Sequence, residues 1–422
     1  VNPLRYHSIV NRGRCLAGAE LPFIAGRRLW PRCLRTLWID SRQYTPSTRQ
    51  LVSTMAKKQQ HGEMPEAPEF PANLFAWPAL MAATVGEAIA ASLAVPRAEP
   101  AGERQPAWAT PHRVRLELGT MQLRDFSTAE GGIATLVCAP FALHGATIAD
   151  FARGHSVVEA LHEGGIGRID VTDWRSAGPE MRFLSIDNYL ADLNVAVDEL
   201  GPPVDLVGLC QGGWMALAFA ARFPHKVRRL ALAGAPVDIA AGRSMLSQMT
   251  ASVPLAAFEE FVNSQDGRVL GQRLLHLWGA SLGANDGRHI LQLPLRDDTP
   301  DFQKLLVRFQ EWFDVTVDLP GTYYLQVVSW LFQENRLATG DFVALGRRID
   351  LAGLRHPIFL LGAEDDQIVA PGQLFATANR VGTPRQHIET ATEPCGHLGL
   401  FLGAATMKRS WPRIARWLAE AP

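Results

Sequence analysis

The stretch "VGLCQGGWMA", Val207 to Ala216, decides how the chain is read. Before it runs an apolar strand, "DLVGL", and after it an apolar helix, "WMALAFAARF". Cys210 therefore stands at the tip of a strand-turn-helix, flanked by Gly208 and Gly212 as G-x-C-x-G. That is the context in which G-x-S-x-G presents a nucleophile, with cysteine in place of serine. The glycines have a steric reason, because a residue held in a strained conformation between a strand and a helix tolerates no Cβ beside it. The helix start adds a chemical one: its dipole favours a thiolate. A small packed cysteine at a strand end would leave both glycines unexplained.

Outward from this turn, strands and helices alternate. "VRLELGTMQLRDF" predicts an edge hairpin, and "IATLVCAP" (Ile133 to Pro140) a buried parallel strand. A helix around Ser156 to His162, the strand "GRIDVTDW" and the helix "SIDNYLADLNVAVDELG", with Ser185 as its N-cap, come next. After Cys210 the strand "RRLALAGAP" ends at Pro236. Between about Ile239 and Arg355 the alternation gives way to helical segments rich in Phe, Leu and Trp; it resumes at "RHPIFLLGAEDDQIVAP" and closes with "EPCGHLGLF" and "SWPRIARWLAE". The pattern predicts an α/β-hydrolase fold: a mostly parallel sheet, helices on both faces and a helical lid insertion at about 240–355, over the carboxyl edge where ligands bind.

A nucleophile needs a base, and the base an orienting acid, in the order nucleophile, acid, histidine. Asp365 and Asp366 both follow the strand "PIFLLG", and the register D-x-I-V-x-P favours Asp366, with Asp365 in reserve. His397, in the Gly-flanked loop "PCGHLGLF", is the base candidate, whereas Cys395 reads as packing. An oxyanion hole would take one N–H from Gln211 and another from Phe141 or Ala142 in "APFALHGATIADF". His144 in that loop and Trp214 are candidate substrate contacts. Trp312, Tyr323, Tyr324, Trp330 and Phe332 are expected in the core before an acyl tunnel.

Composition bounds the rest. The chain has 422 residues, 47% hydrophobic and 20% charged, enough for a large core, and its net charge of −1 gives no overall pull toward nucleic acid or an anionic membrane. Cys15, Cys33, Cys138, Cys210 and Cys395 are odd in number and lack CxxC spacing, which argues against a disulfide framework or zinc site and fits a reducing cytoplasm. No run of about 18 apolar residues suggests a transmembrane helix. Residues 1–54 hold nine arginines, no lysine and only two acids, Glu20 and Asp40. They read as a disordered or over-extended start with the natural beginning at Met55, a transit peptide being the other option. Residues 55–107 read as a helical segment, "FPANLFAWPALMAATVGEAIA", followed by a linker, and 108–422 as the catalytic domain.

From about Trp108 to Trp417 the chain resembles the intracellular polyhydroxyalkanoate depolymerases and the polyhydroxyalkanoate synthases, related families with a Cys, Asp, His triad. Similar to the depolymerases are "APFALHGATIADF", "VTDW", the Cys210–Gln211 pair, "YYLQVVSWLFQENRLATGDF", "EDDQIVAPGQLFATA" and "GHLGLFLG"; similar to the synthases are "GLCQGGW" and "DQIVAP". Gly212 stands where a depolymerase commonly has proline. The resemblance implies the triad Cys210, Asp366 and His397, an acyl-cysteine intermediate and no cofactor. It implies a polyester granule or hydroxyacyl ester as partner, a CoA thioester in the synthase case, and a place in the cytoplasm at the granule surface. The closing "GHLGLF" and the chain length favour a depolymerase-like hydrolase, with a synthase-like acyltransferase or a non-catalytic granule-binding protein as alternatives.

Overall fold

The computed structural model describes residues 106–278, 287–294 and 299–420. The expectations for residues 1–54 and for nearly all of 55–107, the Phe70 to Ala90 helix among them, lie outside the described residues.

Eight strands form the central sheet: β1 (Arg113–Glu117), β2 (Met121–Asp125), β3 (Thr135–Cys138), β4 (Ile169–Trp174), β5 (Val204–Leu209), β6 (Val227–Ala233), β7 (Ile358–Ala363) and β8 (Ile388–Glu393). Their order is β1-β2-β4-β3-β5-β6-β7-β8. From β4 to β8 all neighbours are parallel, and the β1–β2 hairpin joins β4 through an antiparallel pair. The hairpin is tied down by Arg115, which reaches Asp125 at 2.6 Å and Asp170 of β4 at 2.8 Å.

The continuous apolar runs are explained by burial on both faces. Leu136, Leu206, Leu230, Leu232, Ile358 and Leu360 point to one side, where α2 (Ile186–Leu200) and α3 (Gln211–Arg222) add Tyr189, Leu193, Trp214 and Phe219. Val137, Val207, Leu209, Ala231, Phe359 and Leu361 point to the other, against α1 (Val157–Glu163) and α9 (Ala404–Ala419), which add Val157, Leu161, Trp411, Ile414 and Leu418. Ser156 caps α1 by accepting from the Glu159 N–H at 2.9 Å. Ser185 caps α2, its backbone N–H donating to the Asn188 carboxamide oxygen at 2.8 Å.

Between β6 and β7 the insertion supplies α4 (Met245–Ser252), α5 (Leu255–Asn263), α6 (Gly271–Trp278), α7 (Pro300–Asp314) and α8 (Gly321–Gln326), with two-residue strands at Arg268–Val269 and Leu319–Pro320. α8 runs on into a π-helical turn, Val327–Gln333, a break in period that the apolar pattern does not announce.

Candidate active site

Cys210 joins β5 to α3 with φ 49° and ψ −119°, a backbone conformation that side chains other than glycine rarely adopt. Two backbone bonds hold it there: its N–H donates to Ala233 O at 2.8 Å and its carbonyl accepts from the Gly213 N–H at 2.9 Å. A Cβ at Gly208 would lie 2.4 Å from Gly213 Cα, and one at Gly212 would lie 2.0 Å from Cys138 O. Close approach is therefore why both positions lack side chains. Gly212 lets the start of α3 rest against the end of β3, which brings the Phe141–Ala142 backbone beside Cys210.

Chemistry separates the three described cysteines. Cys138 and Cys395 are buried, and burial pushes each thiol up to about 12, away from any thiolate near neutral pH. Cys395 packs on Gly399, where a Cβ would lie 3.0 Å from its sulfur, in keeping with a structural part. Cys210 alone of the three is partly open, and it sits at a helix N-terminus.

His397 lies in the turn after β8, buried, its ring edge-on to Phe401 with centroids 5.4 Å apart. Its Nδ1 is 2.7 Å from Asp366 Oδ2. The second Asp366 oxygen accepts from the Ile368 and Val369 N–H groups, both at 2.8 Å, so the apolar pair in D-x-I-V-x-P fixes the carboxylate through its backbone. Asp365, the reserve, is exposed. His397 Nε2 is buried without a hydrogen-bond partner among the described residues. Burial opposes a charge on His397, but the Asp366 carboxylate and Cys210 outweigh it and raise its pKa well above the ordinary value. Gly234 (φ +56°) is a position the sequence did not single out; a Cβ there would lie 3.1 Å from His397 Cε1. Its only advance signal was its place at the end of the strand after the nucleophile turn.

Cys210, Gln211, Phe141, Ala142, His144 and His397 line one cavity of about 160 Å³. The insertion closes much of its wall with Leu246, Thr250, Leu274, Leu319, Tyr323 and Val327. None of these six offered chemistry to find it by, apart from Tyr323. Of the aromatic residues considered for an acyl tunnel, Tyr323, Tyr324 and Phe332 line the cavity, while Trp312 packs on His144 and Trp330 on Phe342. The backbone N–H groups of Gln211, Phe141 and Ala142 enter no hydrogen bond among the described residues. The loop that bears the last two is pinned by the insertion: Tyr323 Oη donates to Phe141 O at 3.3 Å, and Val317 N–H to Leu143 O at 2.9 Å.

Trp214 departs from its expected part as a substrate contact. It does not line the cavity; it is fully buried between α3 and the insertion, packs on Phe342 and donates its indole N–H to Gln211 Oε1. Its position one turn into an apolar helix put it in the core.

Among the described residues no group of three or more His, Cys, Asp or Glu side chains is placed to hold a metal ion. No helix among them is long and apolar enough to cross a membrane.

A family model of the alpha/beta hydrolase fold matches residues 154–404. The chain belongs to the alpha/beta hydrolase fold family. Within it, this alpha/beta hydrolase is similar to the poly(3-hydroxyalkanoate) polymerase subunit PhaC of Synechocystis sp., 29% identical over 286 residues that cover 64% of this chain and 74% of the relative. The subunit of the same name from Allochromatium vinosum is 28% identical over 254 residues, 59% of this chain and 70% of its own. A 2-hydroxy-6-oxo-2,4-heptadienoate hydrolase of Pseudomonas putida is 32% identical over 145 residues, 29% of this chain and 46% of its own. The polymerase subunits favour the acyltransferase alternative over the depolymerase that the closing loops led us to expect.

Proposed function

We propose that the chain is a polyhydroxyalkanoate synthase-like acyltransferase that takes 3-hydroxyacyl-CoA and works through an acyl-Cys210 intermediate. The observation that carries the reading is the cavity lined by both Cys210 and His397, the latter paired with Asp366, in a chain whose relatives include polymerase subunits. Cys210 gives its proton to His397 Nε2, and the Asp366 carboxylate favours keeping it there. The thiolate attacks the thioester carbonyl, and the oxygen that becomes negative is held by the Gln211 N–H and that of Phe141 or Ala142. CoA leaves as its thiol with the proton from His397, and the acyl group remains on sulfur. A second hydroxyacyl group then gives its hydroxyl proton to His397 and attacks the acyl-cysteine, which forms an ester and frees Cys210.

Size supports a short substrate. A void of about 150 Å³ accommodates a benzene-sized ligand, so a four-carbon hydroxyacyl group suits this cavity, with the insertion acting as a lid over it. Purified protein incubated with 3-hydroxybutyryl-CoA should release CoA and deposit polymer, and Cys210→Ala should do neither. Release of CoA with free 3-hydroxybutyrate and no polymer would instead favour hydrolysis. That second reading draws support from one observation: the depolymerase-like segments Ala139–Phe151 and Gly396–Gly403 are the ones around Cys210. Full granule association in Cys210→Ala without any thioester turnover by the parent chain would point to a coat protein.

A further inference from the structure

One polar group bordering the cavity has no part in the chemistry above. His144, on the loop after β3, is 6% exposed and its ring lies against Trp312 and Phe313, with centroids 4.4 and 5.0 Å away. Its Nδ1 is 3.1 Å from Val315 O. A carbonyl oxygen only accepts, so the proton sits on Nδ1 and Nε2 is left with a lone pair. Burial lowers the pKa of the ring to about 4, which keeps it neutral near neutral pH. Nε2 has no hydrogen-bond partner among the described residues, and neither has the indole N–H of Trp312 stacked on it.

His144, which lines the cavity, thus carries a buried acceptor that is costly to leave unpaired. A bound thioester offers only acceptors at its reacting end. A hydroxyl donates, and so can satisfy that nitrogen. We propose that His144 Nε2 accepts a hydrogen bond from the hydroxyl of the hydroxyacyl group, and that His144 is the residue by which the site distinguishes a hydroxyacyl from an unsubstituted acyl group. The inference rests on the function proposed above and adds to it the feature of the substrate that is recognised.

The test is single-turnover acylation of the full chain, read as CoA release and as the mass of the acyl-enzyme, with 3-hydroxybutyryl-CoA and butyryl-CoA. The parent protein should prefer the hydroxylated thioester by about tenfold or more, because a site that pairs with a hydroxyl rejects an analogue without it. In His144→Leu the preference should fall to within about twofold of unity, and His144→Gln, whose amide oxygen accepts, should keep most of it. An unchanged preference in His144→Leu overturns the proposal, as does a parent protein that does not discriminate. Should His144→Leu fail to fold, 3-fluorobutyryl-CoA serves with the parent: fluorine has nearly the size of a hydroxyl but no donor, and equal rates would overturn the proposal. If neither thioester acylates Cys210, the proposed function has failed first and takes this inference with it.

Discussion

Asp366→Asn isolates what the carboxylate does for His397. In the native chain Asp366 Oδ1 takes the Ile368 and Val369 N–H groups and Oδ2 faces His397 Nδ1 at 2.7 Å. An asparagine keeps one oxygen, and the two backbone donors will claim it, so the amide nitrogen turns toward the ring. An amide N–H donates; Nδ1 must then accept, and the proton moves to Nε2. Nε2 can no longer receive the Cys210 proton. In triads of this kind the same exchange of acid for amide lowers kcat by about 10⁴, or roughly 5 kcal/mol at 1.36 kcal/mol per tenfold. The measurement is single-turnover CoA release from 3-hydroxybutyryl-CoA, with thermal melting alongside. A folded variant that loses less than tenfold refutes the assignment of Asp366 as the orienting acid. A second readout follows from the raised His397 pKa. Such a shift adds stability that is fully present below the unfolded value of about 6.5 and is lost as pH climbs through the folded value. The melting-temperature gap between parent and variant should therefore be widest near pH 6 (about the unfolded value) and narrow in alkaline solution.

Iodoacetamide applied to the native protein should label Cys210 in preference to Cys138 and Cys395, by peptide mass mapping, because the latter two are buried with thiols near 12; equal labelling of the three contradicts their assignment. Gly212→Ala forces a methyl toward Cys138 O and should cost about 1–3 kcal/mol or more in the denaturant midpoint, together with acyl-enzyme yield; a variant unchanged in both would show that the close approach is dispensable. Trp214→Phe removes the bond to Gln211 Oε1, so stability and kcat should drop by about 1 kcal/mol while KM for the thioester stays put; a rise in KM alone would restore Trp214 as a substrate contact. Tyr323→Phe frees the Phe141 carbonyl and should slow acylation several-fold and lower stability by about 0.5–1.5 kcal/mol.

The sheet was legible because its signals are local. Ile358–Ala363 is a six-residue apolar run, and Val204–Leu209 is one interrupted only by Asp205; nothing but a strand buried on both faces suits them. Cys210 and Asp366 could be proposed for a related reason, since each follows the carboxyl end of such a run, whereas His397 follows the polar strand Ile388–Glu393 and was picked out by its Gly-flanked loop. What pattern could not supply lay in the insertion. There the apolar residues belong at once to a core and to a cavity, and only the fold shows that Tyr323 faces the site while Trp330 does not. Trp214 was misjudged because nearness in sequence to a reactive residue says little on a helix, where the next residues point to different sides. Gly234 escaped notice since its importance is an empty volume beside a ring from a segment more than a hundred residues away.

The clasp between Val315–Tyr323 and the loop Phe141–His144 has a consequence for how this protein can be re-engineered or can diverge. The loop whose amides are proposed to steady a negative oxygen is held partly by hydrogen bonds with a segment outside the sheet. Transplanting the helical cap from another member of the family would thus exchange more than a specificity module. It would also remove the splints that set those amides, and a chimera with a sound sheet would be a poor catalyst until the splints were rebuilt.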